Sequence, residues 1–173
     1  SEGGNGKVQW YAMAQACYEE AKNAGSAEAD AALSALEQRK AQMLAKSPNG
    51  QGELFAFYRA GVTAGQAGEY EKAYAIFYDD VFFFGDTKGI ADIAGLYLKG
   101  KGVAQDVEKA IALYEYVAKV LKSGNGYSAL AKVYEAPDGT YPPAAHSTDT
   151  ALEYYRLSFE GEDLRSADFK GPR

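Results

Sequence analysis

The chain repeats itself, and that limits its fold more than any other feature. Glu71-Lys72-Ala73 recurs as Glu108-Lys109-Ala110, Phe77 as Tyr114 and Tyr97 as Tyr134, each 37 residues later. Ala110 recurs as Ala151 and Tyr114 as Tyr155 after 41 residues, which places four extra residues in the loop holding Pro137, Pro142 and Pro143. A period near 37 is the length of two short helices with their connections. One such unit cannot bury its apolar face alone, so successive units must stack, and an all-α solenoid of antiparallel helix pairs is expected.

Apolar residues recur at helical spacing almost throughout, and alternating strand patterns are absent. Eight helices are expected. The first runs from about Lys7 to Asn23, with Tyr11, Ala14, Tyr18 and Ala21 on one stripe and Gly25 ending it. The second covers about Ala27 to Lys46, before the break at Ser47-Pro48-Asn49-Gly50. The third covers roughly Gly52 to Gly65. The fourth, about Tyr70 to Phe83, carries Tyr74, Phe77, Tyr78, Val81 and Phe82 as its stripe. The fifth carries Ile90, Ile93, Ala94, Tyr97 and Leu98. The sixth is capped by Asp106, the seventh follows Asn125-Gly126, and the eighth is capped by Asp149. Residues 1–6 read as a disordered segment, 7–50 as a helical pair capping the array, 51–163 as three repeats, and 164–173 as a tail.

Around the loop Leu96-Tyr97-Leu98-Lys99-Gly100-Lys101-Gly102-Val103, followed by Asp106, Lys109-Ala110 and Tyr114, the chain resembles the Sel-one-like repeat family. The unit from Phe55 to Val81, with Gly61, Gly68, Tyr70, Ala73 and Phe77, is closer to the related tetratricopeptide repeat. The unit from Tyr127 to Glu160 keeps Tyr134, Gly139, Ala151 and Tyr155 but lacks the second glycine and the valine. This resemblance implies a superhelix whose first helices line a concave, partner-binding face. Carried over residue by residue, that face takes Phe55, Tyr58 and Val62 from the first unit, Lys88, Ala91 and Lys99 from the second, and Ser128, Lys132 and Glu135 from the third. Gly61, Ala94 and Ala131 are the small residues expected where helices approach closely.

Other chemistry is thinly represented. There are 18 Lys and Arg against 24 Asp and Glu, a net charge of −6, which disfavours a nucleic-acid partner. One cysteine, Cys17, and one histidine, His146, leave no disulfide within the chain and no paired-ligand metal motif, so neither cofactor nor metal is expected. Cys17 reads as a small buried residue. Gly95 to Gly102 matches most of a phosphate-binding loop, but Gly102 stands where the hydroxyl for magnesium is needed and the preceding segment is helical. The glycines are better explained by a turn that uses positive φ. His146, Ser147 and Asp149 are adjacent in a loop rather than converging in space. Asp79-Asp80 and Glu160-Gly161-Glu162-Asp163 read as solvated helix ends. Phe83 and Phe84 fall off the fourth helix's stripe and are either exposed contact aromatics or buried against the following helix. The 14 tyrosines suit helix interfaces, where a ring buries its body and sends its hydroxyl outward.

These features favour a non-enzymatic protein-interaction module over an enzyme. The family resemblance implies a bacterial adaptor or regulator, often in the envelope. A narrower version is an immunity protein against a secreted toxin, and a third class is a cell-wall hydrolase. The start at Ser1 without methionine leads to the expectation of a processed, periplasmic or secreted chain, with a cytoplasmic one as the alternative. No run of about 18 apolar residues occurs, so no membrane span is expected.

Overall fold

The computed structural model describes residues 10–45, 54–85, 87–144 and 146–167, without the side chains of 44, 54–56 and 161–167. The expected disordered segment 1–6, the Ser47–Gly50 break and the end of the tail from residue 168 lie outside the described residues. So do the side chains of Phe55, Glu162 and Asp163. Among the described residues there are eight α-helices and no strand. They divide into two compact units, residues 1–89 and 90–173.

The first unit holds α1 (Trp10–Asn23), α2 (Ala27–Ala45), α3 (Leu54–Gln66) and α4 (Tyr70–Asp79). Gly25 ends α1 as expected. At φ +91° it lets its own N–H reach Lys22 O (2.8 Å) and the Ser26 N–H reach Ala21 O (3.0 Å). Gly68 ends α3 in the same way, with Gly68 N–H to Gly65 O at 3.1 Å and Glu69 N–H to Ala64 O at 2.9 Å. The α3–α4 contact is built on small residues. A Cβ on Gly61 would lie 2.6 Å from Phe77 Cε1, so the ring occupies the space that a side chain would need.

α4 does not continue as a regular helix to Phe83. It widens into a π-helical turn, Asp80–Phe84, that stops at Gly85 with φ +66°. The wider turn changes which side chains face inward. Phe83, off the expected stripe, becomes buried with Tyr11 and Met43, and Phe57, Phe82 and Phe84 pack around them.

The second unit, from Ile90 on, holds most of α5 (Lys88–Lys99), then α6 (Val107–Glu115), α7 (Gly124–Glu135) and α8 (Thr148–Ala167). Its core joins Ala94 and Leu98 to Val107, Ala110, Tyr114 and Ala118 and to Leu130 and Val133. Gly100 and Gly102 take φ +60° and +71°, the turn geometry expected of them. Asp106 caps α6 by accepting the Lys109 N–H at 2.9 Å. Two expected boundaries are corrected. α7 begins at Gly124, so Asn125 and Gly126 lie inside its first turn rather than before it. Ser147, not Asp149, caps α8: its hydroxyl accepts the Thr150 N–H at 3.2 Å, and Asp149 sits within the first turn.

The 37-residue period extends to backbone conformation. α6 also runs into a π-helical turn, Tyr116–Val120. Lys122 has φ +51°, 37 residues after Gly85 at +66°. Gly89 closes on Val81, where a Cβ would stand 3.2 Å from Cγ2; Gly126, 37 residues later, closes on Ala118, 37 residues after Val81.

Candidate functional site

The residues expected on a concave face take different roles. On α3, Tyr58 and Val62 are half-buried, and the Tyr58 ring lies 5.8 Å from that of Phe77. Lys88 and Lys99 are the exposed first and last residues of α5. Eleven residues of rise hold them roughly 16 Å apart along the axis, on the same helix face. On α7, Lys132 is exposed, whereas Ser128 and Glu135 engage α8. Ser128 Oγ and the buried Ser158 Oγ are 2.9 Å apart, and Glu135 accepts the Tyr155 hydroxyl at 2.7 Å.

Phe83 and Phe84 are not exposed contact aromatics. Phe83 is only 9% exposed, and Phe84 is half-buried with its ring stacked 5.1 Å from Phe57. The residues that bury Phe83 include Tyr11 of α1 and Met43 of α2, rather than a residue of the next helix in the chain. Beside it, Tyr74, Tyr78 and Phe82 form a ladder four residues apart, with centroids 6.1 and 5.9 Å apart. Tyr78 is the exposed rung.

The acidic pair Asp79-Asp80 is not a solvated helix end. Asp79 accepts a 2.5 Å ion pair from Arg39 of α2, and Asp80 is fully buried at 0%. A shift of 37 from Asp80 leads to Val117, itself buried in the second unit, so Asp80 is a carboxylate at a core position of the repeat. Cys17, expected to be buried, is exposed. Cys17 lies six residues after Tyr11, the buried residue of α1, which at about 100° per residue puts it on a different face of the helix.

His146 organises a loop. Its N–H donates to Asp138 Oδ1 (2.8 Å), and its Nδ1 lies 3.1 and 3.2 Å from the carbonyls of Glu135 and Ala136. Two carbonyl acceptors place a proton on Nδ1, and Nε2 lies 3.2 Å from the Thr148 hydroxyl. A ring with both nitrogens held in this way is a structural tie between the ends of α7 and α8. Tyr114 is buried in the core of the second unit. Burial first, then the negative charge of Asp92 and the neighbouring Tyr141, push its hydroxyl up to about 12. Gly95 makes room for that hydroxyl, which lies 3.3 Å from where a Cβ would stand. Among the described residues, no three His, Cys, Asp or Glu side chains gather closely enough to hold a metal ion.

The apolar residues expected of the eighth helix, Leu152, Tyr155 and Phe159, are not buried in the core. On α8, Leu152 and Phe159 are 61% and 69% exposed, one on either side of the half-buried Tyr155. Arg156 beside them is gripped by Glu153 at 2.6 Å and by Glu160. The guanidinium holds the Glu153 carboxyl below its ordinary range. In the sequence, Leu152, Tyr155 and Phe159 follow i, i+3, i+7 spacing and align with Ile111, Tyr114 and Ala118 of the preceding unit.

Among the helices described, none is long and apolar enough to cross a membrane. No family model, no curated protein and no solved structure matches the chain.

Proposed function

We propose that this chain is a protein-interaction module without catalytic activity, built as an α-solenoid of antiparallel helix pairs of the Sel-one-like and tetratricopeptide type. The observation that carries this reading is the recurrence of the same backbone features, the π-helical turn, the left-handed residue and the glycine contact, at a spacing of 37 residues. Repeats that reuse one packing device extend a surface rather than enclose a pocket, and extended surfaces suit protein partners. The side chains with catalytic potential also have structural duties: His146 ties a loop and Tyr114 sits in the core. In the Sel-one-like setting the module acts as an adaptor or regulator in a bacterial envelope, and toxin immunity is a narrower form of the same activity.

The test is affinity capture by the full chain from its parent cell, followed by reconstitution with the purified captured protein. A stoichiometric complex in calorimetry is expected. A chain that retains no protein but turns over a cell-wall substrate would overturn the reading. Cell fractionation separately tests the envelope location.

A further inference from the structure

We propose that the outer face of α8, formed by Leu152, Tyr155 and Phe159, docks an amphipathic helix of a partner protein, with small residues over its apolar stripe and basic residues beside it. This rests on the interaction-module reading and specifies its surface.

The repeat itself shows what this row of residues meets. Ala118 on the π-helical turn after α6 is covered by Gly126 in the first turn of the next helix, α7. Val81, 37 residues before it, is likewise met by Gly89 in the first turn of α5. At the shift of 41 that relates Tyr114 to Tyr155, Ala118 corresponds to Phe159 and Ile111 to Leu152. Ile111 is packed against the core of its unit and Ala118 is fully buried, yet Leu152 and Phe159 are largely exposed. So the position that twice receives the small-residue end of a helix is bare at its third occurrence, Phe159, and Leu152, seven residues before it, is bare too.

Charge selects the visitor. Asp149, Glu153 and Glu160 are exposed on this part of α8, with Arg156 the one cation among them and already held by two of the three. A second acidic copy of the chain would meet like charge, whereas a helix flanked by lysine or arginine would meet its complement. The exposed apolar area of two large side chains is small, so the expected association is of the transient class.

The experiment uses the full, isotope-labelled chain. Two covalently constrained helical peptides of about 15 residues, a length at which isolated helices are marginal and need the constraint, share a Leu and Ala stripe; one carries lysine flanks and its twin glutamate flanks. The lysine peptide is expected to shift the amide signals of Leu152 to Glu160, to bind about ten-fold more tightly than its twin, and to weaken as salt rises. In the double variant Leu152→Ser, Phe159→Ser, circular dichroism should be unchanged and binding should fall about ten-fold or more. Three results would overturn the proposal: no shift at α8 with either peptide, equal binding by the double variant, or self-association of the chain that the double variant abolishes. A natural partner still retained by the double variant would overturn this face while leaving the interaction-module reading intact. A chain that captures no partner would remove that reading itself.

Discussion

Gly126 lies in direct backbone contact with Ala118. A Cβ on Gly126 would stand 2.4 Å from the Ala118 nitrogen and 2.8 Å from its Cα. Those are main-chain atoms of a helix and cannot rotate aside. Gly126→Ala is therefore expected to move α7 away from the π-helical turn and lower stability by roughly 1–3 kcal/mol or more. At the equivalent Gly89, the nearest obstacle is the Val81 Cγ2 methyl at 3.2 Å, on a side chain that can give way. Gly89→Ala should cost less. Urea denaturation midpoints of the two variants check the order, and equal losses would contradict it.

Lys122 and Gly85 make the complementary comparison. Both come after a π-helical turn and both have positive φ, but Lys122 carries a Cβ at φ +51°. A non-glycine residue in the left-handed region costs about 1–2 kcal/mol. Lys122→Gly should relieve part of that cost and raise the thermal midpoint, although Gly gives back some entropy in the unfolded chain. Gly85→Ala should lower the midpoint. Calorimetry of both variants tests the pair, and a fall on Lys122→Gly would show that the lysine side chain makes a contact outweighing its strain.

Much of the fold could be read from the sequence because it rests on local periodicity. The eight helices, the turn glycines Gly25, Gly100 and Gly102, and the Asp106 cap arise from spacing and from single-residue backbone preferences. Gly61, Ala94 and Ala131 are buried as their repeat positions required. What escaped depends on a change of helical pitch or on distant partners. A stripe drawn at α-helical pitch cannot track a π-helical turn, so it left Phe83 open between exposure and burial and missed the burial of Asp80. Asp149 and Ser147 both have cap-forming side chains two residues apart, and only the backbone geometry of the loop decides between them. Ser128 and Glu135 had sequence positions matching a partner face, but the atoms they meet, in Ser158 and Tyr155, belong to a helix whose rotation the sequence leaves open.

The two caps can be told apart by substitution. Asp106→Ala removes the acceptor of the Lys109 N–H and should cost about 1 kcal/mol, and Ser147→Ala should cost a similar amount by freeing the Thr150 N–H. Asp149→Ala removes only a first-turn charge near the helix N-terminus, an effect of about 0.3–1 kcal/mol that salt screens. Chemical denaturation at low and high salt separates them. The Asp149 effect should shrink with salt while the cap losses persist. A salt-independent loss at Asp149 as large as that at Ser147 would return the cap to Asp149.

Tyr114 gives the second unit an alkaline limit. Its hydroxyl is raised from 10.0 to about 12 in the folded protein, mainly by burial and then by Asp92 and Tyr141. Between those two values the unfolded chain has lost the Tyr114 proton while the folded chain keeps it. The folded state then binds more protons, so stability falls as pH rises. The contribution is fully present below pH 10, declines through the interval and is gone above about 12, in total roughly 2–3 kcal/mol at 1.36 kcal/mol per unit. Tyr114→Phe keeps the ring in the core among Ala94, Leu98 and Ala110 but removes the titrating group. Its stability should therefore decline less steeply than that of the parent chain between pH 10 and 12, measured by urea denaturation at fixed ionic strength. Parallel declines in the two proteins would mean that the alkaline loss comes from other tyrosines, such as Tyr11 and Tyr154, whose hydroxyls are also raised by burial first.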